Sequence, residues 1–174
     1  MSADEYVVLV DRDDVAVGTQ EKLRAHVAGE LHRACSVLVF NEAGELLLQR
    51  RAATKYHSPG LWSNTCCTHP RPGELASDAA RRRLGEELGV DCELAPLFTF
   101  IYRADVGAGL TEHEYDHVFV GHCDATPQPD PTEVGDWRWE SLTSIRSDAA
   151  RHPENYTAWF HVLLEQPELR RRVA

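Results

Sequence analysis

Residues 77–88 are the sequence feature that most constrains the fold. Apolar side chains recur at every fourth position of this segment and its flank, at Ala76, Ala80, Leu84 and Leu88. This spacing is typical of one buried helix face. Ser77 is a favourable N-cap and Gly89 a favourable helix stop. The sequence therefore predicts an amphipathic helix over 77–88 that needs a second layer to cover its apolar stripe.

Short β-branched and aromatic segments surround this helix and predict the second layer. They lie at Tyr6–Val10, 35–40, 46–49, 62–69, 98–103, 114–121 and 137–139. Turn residues at 11–14 and 41–44 separate neighbouring strands, and the segment 46–49 should pair with 35–40 as a hairpin. Residues 52–60 are expected to form a loop. A last helix should follow Pro153 and carry Tyr156, Trp159 and Phe160. Strands interleaved with helices indicate an α/β (α+β) layered fold.

Length, charge and cysteine content narrow the function classes. The 174 residues fit a single domain, 1–174, and the net charge of −10 disfavours a nucleic acid or an anionic membrane as partner. The chain starts without the basic and apolar pattern of a signal peptide and contains no apolar stretch long enough to span a membrane. Five cysteines, an odd number, argue against a disulfide framework. We therefore expect a cytoplasmic protein with free thiols.

The charged face of the predicted helix indicates a site for a metal-bound diphosphate. Arg83 and Glu87 are one turn apart and share a face. Glu87 can hold Mg²⁺, while the guanidinium of Arg83 can bind phosphate oxygens bidentately. An ordinary solvated helix would show similar spacing, since Arg82 and Glu86 can pair in the same way.

A second group of residues has the chemistry of a metal site. In a strand, residues i and i+2 face the same side, so Cys67 can share a face with His69, and Glu112 with Glu114. Upstream, two further histidines flank a glycine-containing loop. Together these residues would offer three imidazoles and two carboxylates, from His26, His32, His69, Glu112 and Glu114. Such a mixed set suits Mn²⁺, Mg²⁺ or Fe²⁺ better than a closed zinc site.

The segment 68–90 resembles the Nudix box, in which a glycine, a glutamate and an R-E-U-x-E-E-x-G-U run follow at fixed spacing, U being aliphatic. The matching residues are Glu74, Arg82, Leu84, Glu86, Glu87, Gly89 and Val90. Two positions depart from the pattern. Thr68 stands where the box has its first glycine, and Arg83 where it has the glutamate after Arg82.

Nearly the whole chain resembles the type I isopentenyl-diphosphate isomerases of the Nudix superfamily. The similar stretches are T-Q-E-K-L-R-A-H, L-H-R-A, Q-R-R-A-A-T-K, W-S-N-T-C-C-T-H-P, the altered box, Y-R-A, E-H-E and the late Trp159. The resemblance implies a Nudix-type α/β/α layered sandwich with a mixed β-sheet. It also implies that the chain isomerises isopentenyl diphosphate to dimethylallyl diphosphate, which feeds isoprenoid biosynthesis.

The same resemblance assigns expected roles to individual residues. Cys67 and Glu114 are the expected catalytic pair, with Tyr102 as an active-site aromatic that positions or relays a proton. Trp159 is expected to contact the substrate. The expected diphosphate-binding cations are Lys22, Arg51, Lys55 and Arg83. The expected ligands of Mn²⁺ or another divalent ion are His26, His32, His69, Glu112 and Glu114, whereas Glu87 binds Mg²⁺ together with the substrate. The partner is then a small diphosphate, and we expect a monomer or weak homo-oligomer.

Two other functions remain open from the sequence. A Nudix diphosphohydrolase would release phosphate or a monophosphate, and it would leave Cys67 without a role. A non-catalytic metal-binding protein would keep the fold and bind metal without turnover. Arg83 favours the isomerase, because a cation in place of a carboxylate removes a metal ligand and adds a group that holds the diphosphate.

Overall fold

The structure, a computed structural model, describes residues 5–171. Residues 1–4, on which the prediction of no signal peptide partly rests, lie outside the described residues. The strands are β1 (Tyr6–Val10), β2 (Ala16–Glu21), β3 (His32–Phe40), β4 (Leu46–Arg51), β5 (Trp62–Ser63), β6 (Cys66–Thr68), β7 (Leu94–Gly107), β8 (Leu110–His122) and β9 (Val134–Glu140). The helices are α1 (Lys22–Ala28), α2 (Ala76–Leu88), α3 (Leu142–Arg151), α4 (Ala158–Leu164) and α5 (Pro167–Arg170), with a 3₁₀ turn at Pro153–Asn155.

The described strands form one mixed sheet of nine strands centred on β3. β3 runs parallel to β8 and antiparallel to β1, β4 and β6. β7 continues the sheet beyond β8, and β9 pairs with β4. Because β3 lies between β6 and β8, residues of both strands converge at its start.

Helices cover both faces of this sheet. On one face, α2 buries Ala79, Ala80, Leu84 and Leu88 in a core cluster that also holds Val37 and Val39 of β3. On the other face, α3 and α4 enclose a second cluster with Leu38 and Phe40 of the same strand. Successive residues of β3 thus point to opposite cores, as the two-residue period of a strand requires. The predicted α/β/α layers and mixed sheet are confirmed. No helix among residues 5–171 is long and apolar enough to cross a membrane.

The predicted central helix is confirmed, but its start is not. Gly89 ends α2 in the left-handed conformation, with φ 62° and its N–H bonded to the carbonyl of Gly85. The predicted cap at Ser77 is wrong, because the helix begins one residue earlier, at Ala76, and Leu75 occupies the cap position without a side-chain hydrogen bond. Ser77 therefore lies inside the first turn, from which its hydroxyl cannot act as the N-cap.

The segment 62–69 is two short strands instead of the one predicted strand. Between β5 and β6 the side chains of Asn64 and Thr65 turn into the sheet. Thr65 Oγ1 accepts from Val39 N at 2.9 Å and donates to Leu47 O at 2.7 Å. Its hydroxyl thus takes the place of direct β3–β4 bonds, since these two strands pair only where Phe40 meets Leu46. The Thr65 hydroxyl thus separates β5 from β6. Cys66 and Cys67 then face opposite sides because they are neighbours in strand β6.

Several elements were not predicted from the sequence. β2, α1, α3 and α5 are additional, and the strands predicted at 98–103 and 114–121 extend into the long β7 and β8. The other predicted strands and the 35–40/46–49 hairpin are confirmed. The helix predicted after Pro153 corresponds to α4, which carries Trp159 and Phe160 as expected. Tyr156 instead is extended, with φ −121°, and bridges to Trp62. The chain extends there because Thr157 N donates to Trp62 O at 2.9 Å.

Candidate active site

A cavity of about 310 Å³ opens at the start of β3, where β6, β8, α1 and α4 meet. Its size lies at the lower end of the range for small-molecule sites. Its walls include a thiol from Cys67, carboxylates from Glu87 and Glu114, and cations from Lys55 and Arg83. The cavity therefore brings together acid–base groups and anion-binding groups.

Two histidines reach this region through a sharp helix-to-strand turn. Gly29 ends α1 with φ 65°, a left-handed backbone conformation that glycine adopts with the least strain. The turn sets His26 on the helix and His32 on β3, with ring centroids 4.8 Å apart. Both rings are fully buried. The short sequence spacing between them is therefore sufficient to make them neighbours.

Backbone carbonyls orient these two imidazoles. Nδ1 of His26 lies 2.6 Å from Lys22 O, and Nδ1 of His32 lies 2.8 Å from Glu30 O. A carbonyl oxygen only accepts, so Nδ1 carries the proton in each ring. Nε2 is therefore the nitrogen of each neutral ring that can act as a ligand. Metal-binding histidines commonly donate their second nitrogen to a carbonyl in this manner.

Two carboxylates complete the cluster. Glu112 and Glu114 lie two residues apart on β8 and therefore point to the same side. Glu114 is the register partner of His32 on the parallel strand β3. Nε2 of His26 is 3.1 Å from Glu112 Oε2, and Nε2 of His69 is 2.9 Å from Glu114 Oε1. One ligand atom from each of the five residues lies within 4.8 Å of every other.

This cluster fits a divalent cation. Nε2 of His32 is buried without a hydrogen-bond partner among the described residues, although it faces the carboxylates. Burial, together with the neighbouring His32, holds the pKa of His69 well below its usual value, so its imidazole is in the neutral form that binds metals. Three imidazoles and two carboxylates form the mixed N/O donor set that suits Mn²⁺, Mg²⁺ or Fe²⁺.

The thiol of Cys67 is held in a polar setting at the side of the cavity. Asn64 Nδ2 donates to its sulfur at 3.2 Å, and the thiol can donate to Asn64 Oδ1 at 3.3 Å. Ser36 Oγ lies 3.7 Å away and donates to Asp116 Oδ2 at 2.6 Å. Burial, reinforced by the nearby Asp116 carboxyl, raises the pKa of the Cys67 thiol, so it stays protonated at neutral pH. Cys66 instead faces the α2 core.

Tyr102 contacts Glu114 across the β7–β8 ladder. Its hydroxyl donates to Glu114 Oε2 at 2.7 Å, and the two residues are direct register partners. Burial opposes ionisation of Glu114, but its hydrogen bonds and the neighbouring His32 lower its pKa below the usual range. Burial beside this carboxylate raises the pKa of Tyr102 well above its usual value, so its phenol remains a proton donor.

The opposite end of the cavity is a network of ion pairs. Arg83 Nε lies 2.8 Å from Glu87 Oε1, as their shared helix face predicts. Gln49 Nε2 donates to the other oxygen of Glu87 at 2.7 Å. Burial raises the pKa of Glu87, although Arg83 and Gln49 oppose this shift. Glu133 contacts both Lys55 and Arg83, at 2.6 and 2.9 Å.

An aromatic wall closes the remaining side. The Arg51 guanidinium lies 5.2 Å from the centroid of the Trp159 ring, within the range of a cation–π contact. His57 meets the same ring edge-on, with centroids 5.7 Å apart. Burial and the charge of Arg51 lower the pKa of His57 to about 3, so this imidazole is neutral.

Comparison with known proteins places this site in a family. The chain matches the NUDIX domain over residues 30–160. It is 53% identical to isopentenyl-diphosphate Delta-isomerase 2 of Aromatoleum aromaticum, over 94% of this chain and 86% of that relative. It is 52% identical to the isopentenyl-diphosphate Delta-isomerase of Burkholderia multivorans, over 95% of this chain and 94% of the relative. The chain belongs to the isopentenyl-diphosphate Delta-isomerase family.

Solved structures support the NUDIX fold of this isopentenyl-diphosphate Delta-isomerase family member. A Deinococcus radiodurans crystal structure superposes with a TM-score of 0.78 at 23% identity, covering 98% of this chain and all of the other. The MutT protein of Methanosarcina mazei superposes with a TM-score of 0.64 at 21% identity, covering 82% of this chain and 92% of the other. At such low identity these neighbours establish the fold alone.

The structure brings together every residue of this isopentenyl-diphosphate Delta-isomerase family member that has a predicted catalytic, substrate-binding or metal-binding role. His26 and His32 lie buried behind the cavity, and the others line it. Their roles stay predictions. Sequence reasoning missed several neighbours of the site, namely Glu5, Ser36, Gln49, Tyr56, His57, Asn64, Asp116 and Glu133. Asn64 lies inside the quoted W-S-N-T-C-C-T-H-P stretch, whereas Glu133 follows a proline-rich segment that carries no motif.

Proposed function

We propose that the chain interconverts isopentenyl diphosphate and dimethylallyl diphosphate by protonation and deprotonation. The observation that carries this proposal is that Cys67 and Glu114 line one cavity, from strands on opposite sides of β3. One is a protonated thiol, and the other is a carboxylate hydrogen-bonded by Tyr102. A diphosphohydrolase would leave Cys67 without a role.

Moving the double bond requires one group that delivers a proton to an alkene carbon and another that removes a proton from C2. We assign these two tasks to Cys67 and Glu114, and their roles exchange when the reaction runs in reverse. Tyr102 holds the Glu114 carboxyl and can relay its proton. Positive charge develops on a tertiary carbon, and the face of Trp159 can stabilise it by about 2 kcal/mol when water is excluded.

The diphosphate is expected to bind at the cationic end of the cavity. Lys22, Arg51, Lys55 and Arg83 all line the cavity, as does Glu87. Arg83 offers the planar guanidinium that suits phosphate oxygens. We propose that Glu87 holds Mg²⁺ that accompanies the substrate diphosphate, and that the second ion, Mn²⁺ or another divalent metal, occupies the His/Glu cluster.

The cluster residues His26, His32, His69, Glu112 and Glu114 would hold that second ion. A divalent cation there supplies positive charge beside Glu114, which tunes the protonation of this carboxyl. The backbone bonds to both Nδ1 atoms keep His26 and His32 oriented.

We further propose that the protein acts in the cytoplasm as a monomer or weak homo-oligomer. Its described cysteines are all free thiols, which suits a reducing compartment. Its acidic net charge of −10 favours a small diphosphate over nucleic acid or an anionic membrane as the partner.

Incubating the protein with isopentenyl diphosphate and Mg²⁺, followed by NMR of the products, tests the proposal. Dimethylallyl diphosphate is the expected product, without release of phosphate. Appearance of phosphate or a monophosphate would favour a diphosphohydrolase. Tight metal binding without any product would favour a non-catalytic metal-binding protein.

A further inference from the structure

Glu133 is a carboxylate in the anion-binding end of the cavity that the proposed reaction does not use. It lies in the turn before β9, and its backbone is fixed from several sides. Its carbonyl accepts from Ala52 N at 2.9 Å, and its amide donates to Asp130 O at 3.0 Å. Asp130 N in turn bonds to Glu87 O at 2.9 Å, which ties the turn to the end of α2. The side chain can therefore rotate while its backbone stays in place.

One oxygen of Glu133 bridges two of the predicted diphosphate-binding cations. Oε2 lies 2.6 Å from Lys55 Nζ and 2.9 Å from Arg83 Nη2. The side chain is only 24% exposed, so water screens these contacts weakly. A phosphate oxygen held between the same two cations would make the same charge-assisted contacts.

Each nitrogen of the Arg83 guanidinium already faces a carboxylate while Glu133 is in place. Its Nε contacts Glu87, its Nη1 contacts Glu86, and its Nη2 contacts Glu133. Of these three carboxylates, Glu86 is the most exposed and lies outside the cavity lining, whereas Glu87 is buried and held by Gln49. Glu133 is the carboxylate whose release would open both Lys55 and Arg83 toward the cavity.

We propose that Glu133 occupies the position of a phosphate group in the substrate-free site and that the incoming diphosphate must displace it. This inference rests on the proposed function, because it assumes that Lys55 and Arg83 bind the substrate diphosphate. The bridge keeps two partly buried cations paired when no substrate is present. It also lowers the affinity for any anion by the free energy of breaking two ion pairs.

The test compares the binding of inorganic pyrophosphate to the wild type, Glu133→Gln and Glu133→Asp by calorimetry at fixed Mg²⁺. Glu133→Gln removes the competing charge and should lower the dissociation constant by about three- to tenfold. Glu133→Asp withdraws the carboxylate by one methylene and should give an intermediate constant. Glu86→Gln is the matched control, because it neutralises another partner of Arg83 outside the cavity, and its constant should stay close to that of the wild type. Circular dichroism melts check that each variant is folded.

Unchanged or weaker pyrophosphate binding in a folded Glu133→Gln or Glu133→Asp would overturn the proposal. Weaker binding would indicate that Glu133 helps to hold the metal-bound anion and does not compete with it. A parallel assay with isopentenyl diphosphate separates this inference from the proposed function. If the wild type isomerises the substrate but Glu133→Gln binds pyrophosphate like the wild type, only the role of Glu133 fails. If the wild type makes no dimethylallyl diphosphate, the proposed function fails whatever the calorimetry shows.

Discussion

Nε of Arg83 lies 2.8 Å from Oε1 of Glu87, one helical turn away on α2. This ion pair sets a cation beside a buried carboxylate at the end of the cavity where the diphosphate is expected. In the Nudix pattern a glutamate would stand at position 83. An arginine at this position therefore favours a site that holds the diphosphate over a site that surrounds it with metal ligands.

Restoring that carboxylate, Arg83→Glu, should sharply reduce isomerase activity. The change removes a charge-assisted contact and sets a like charge against the diphosphate and Glu87. KM for isopentenyl diphosphate at fixed Mg²⁺ should rise, and phosphate release should stay low, because hydrolysis also needs a placed water. An unchanged KM would show that Arg83 does not bind the substrate. Substantial phosphate release by the wild type itself would revive the hydrolase interpretation.

Cys67→Ala should lower the rate of isomerisation by about 10²–10⁴-fold, the usual effect of losing an acid–base group. The fold and pyrophosphate binding should persist, because the thiol contributes no charge to the cationic end. Cys66→Ala is the matched control: its side chain packs against α2 on the other face, so it should affect stability more than turnover. Near-normal turnover in Cys67→Ala would show that the catalytic assignment is wrong.

Glu87→Gln should raise the Mg²⁺ concentration needed for half-maximal activity by at least about tenfold, since the carboxylate is the expected ligand. The ion in the His/Glu cluster should remain, because Glu87 is not among the five clustered residues. Metal analysis of the purified variant checks this, with His32→Ala as the comparison that should lose the ion. Loss of that ion from Glu87→Gln would mean that the two sites share ligands.

Thr65→Val should destabilise the protein although the two side chains have nearly the same shape. The buried hydroxyl links Val39 N to Leu47 O, and removing it leaves a buried donor without its acceptor. We expect the free energy of unfolding to fall by about 2–3 kcal/mol in urea titrations. Thr99→Val, at an exposed position on β7, should change it by less than about 0.5 kcal/mol. Equal stabilities of the two variants would contradict the structural role of the Thr65 hydroxyl.

Local patterns in the chain predicted a layered fold of strands and helices and part of the candidate site. The apolar stripe of α2 follows from the four-residue spacing of its side chains, and the helix stop follows from a single glycine, Gly89. Both signals lie within a short stretch of sequence. The spacing of Cys67 and His69, and of Glu112 and Glu114, likewise follows from strand geometry. Resemblance then supplied the expected role of each residue.

The elements that were missed depend on distant partners. β2 is exposed along most of its length and shows no alternation, so only its pairing with β1 defines it as a strand. The break between β5 and β6 exists because Thr65 bonds to two other strands, and no local property of the sequence requires it. Tyr156 is extended because the chain around it pairs with Trp62.

The sequence by itself determined which chemical groups the site contains, and the tertiary structure decided how they meet. His26 and His32 lie side by side because the turn at Gly29 joins α1 closely to β3. Glu133 reaches Lys55 and Arg83 from a turn that no motif marks, because Ala52 and Asp130 hold its backbone there. Ion pairs between residues far apart in the chain form only when the packing of the sheet and helices sets their distance.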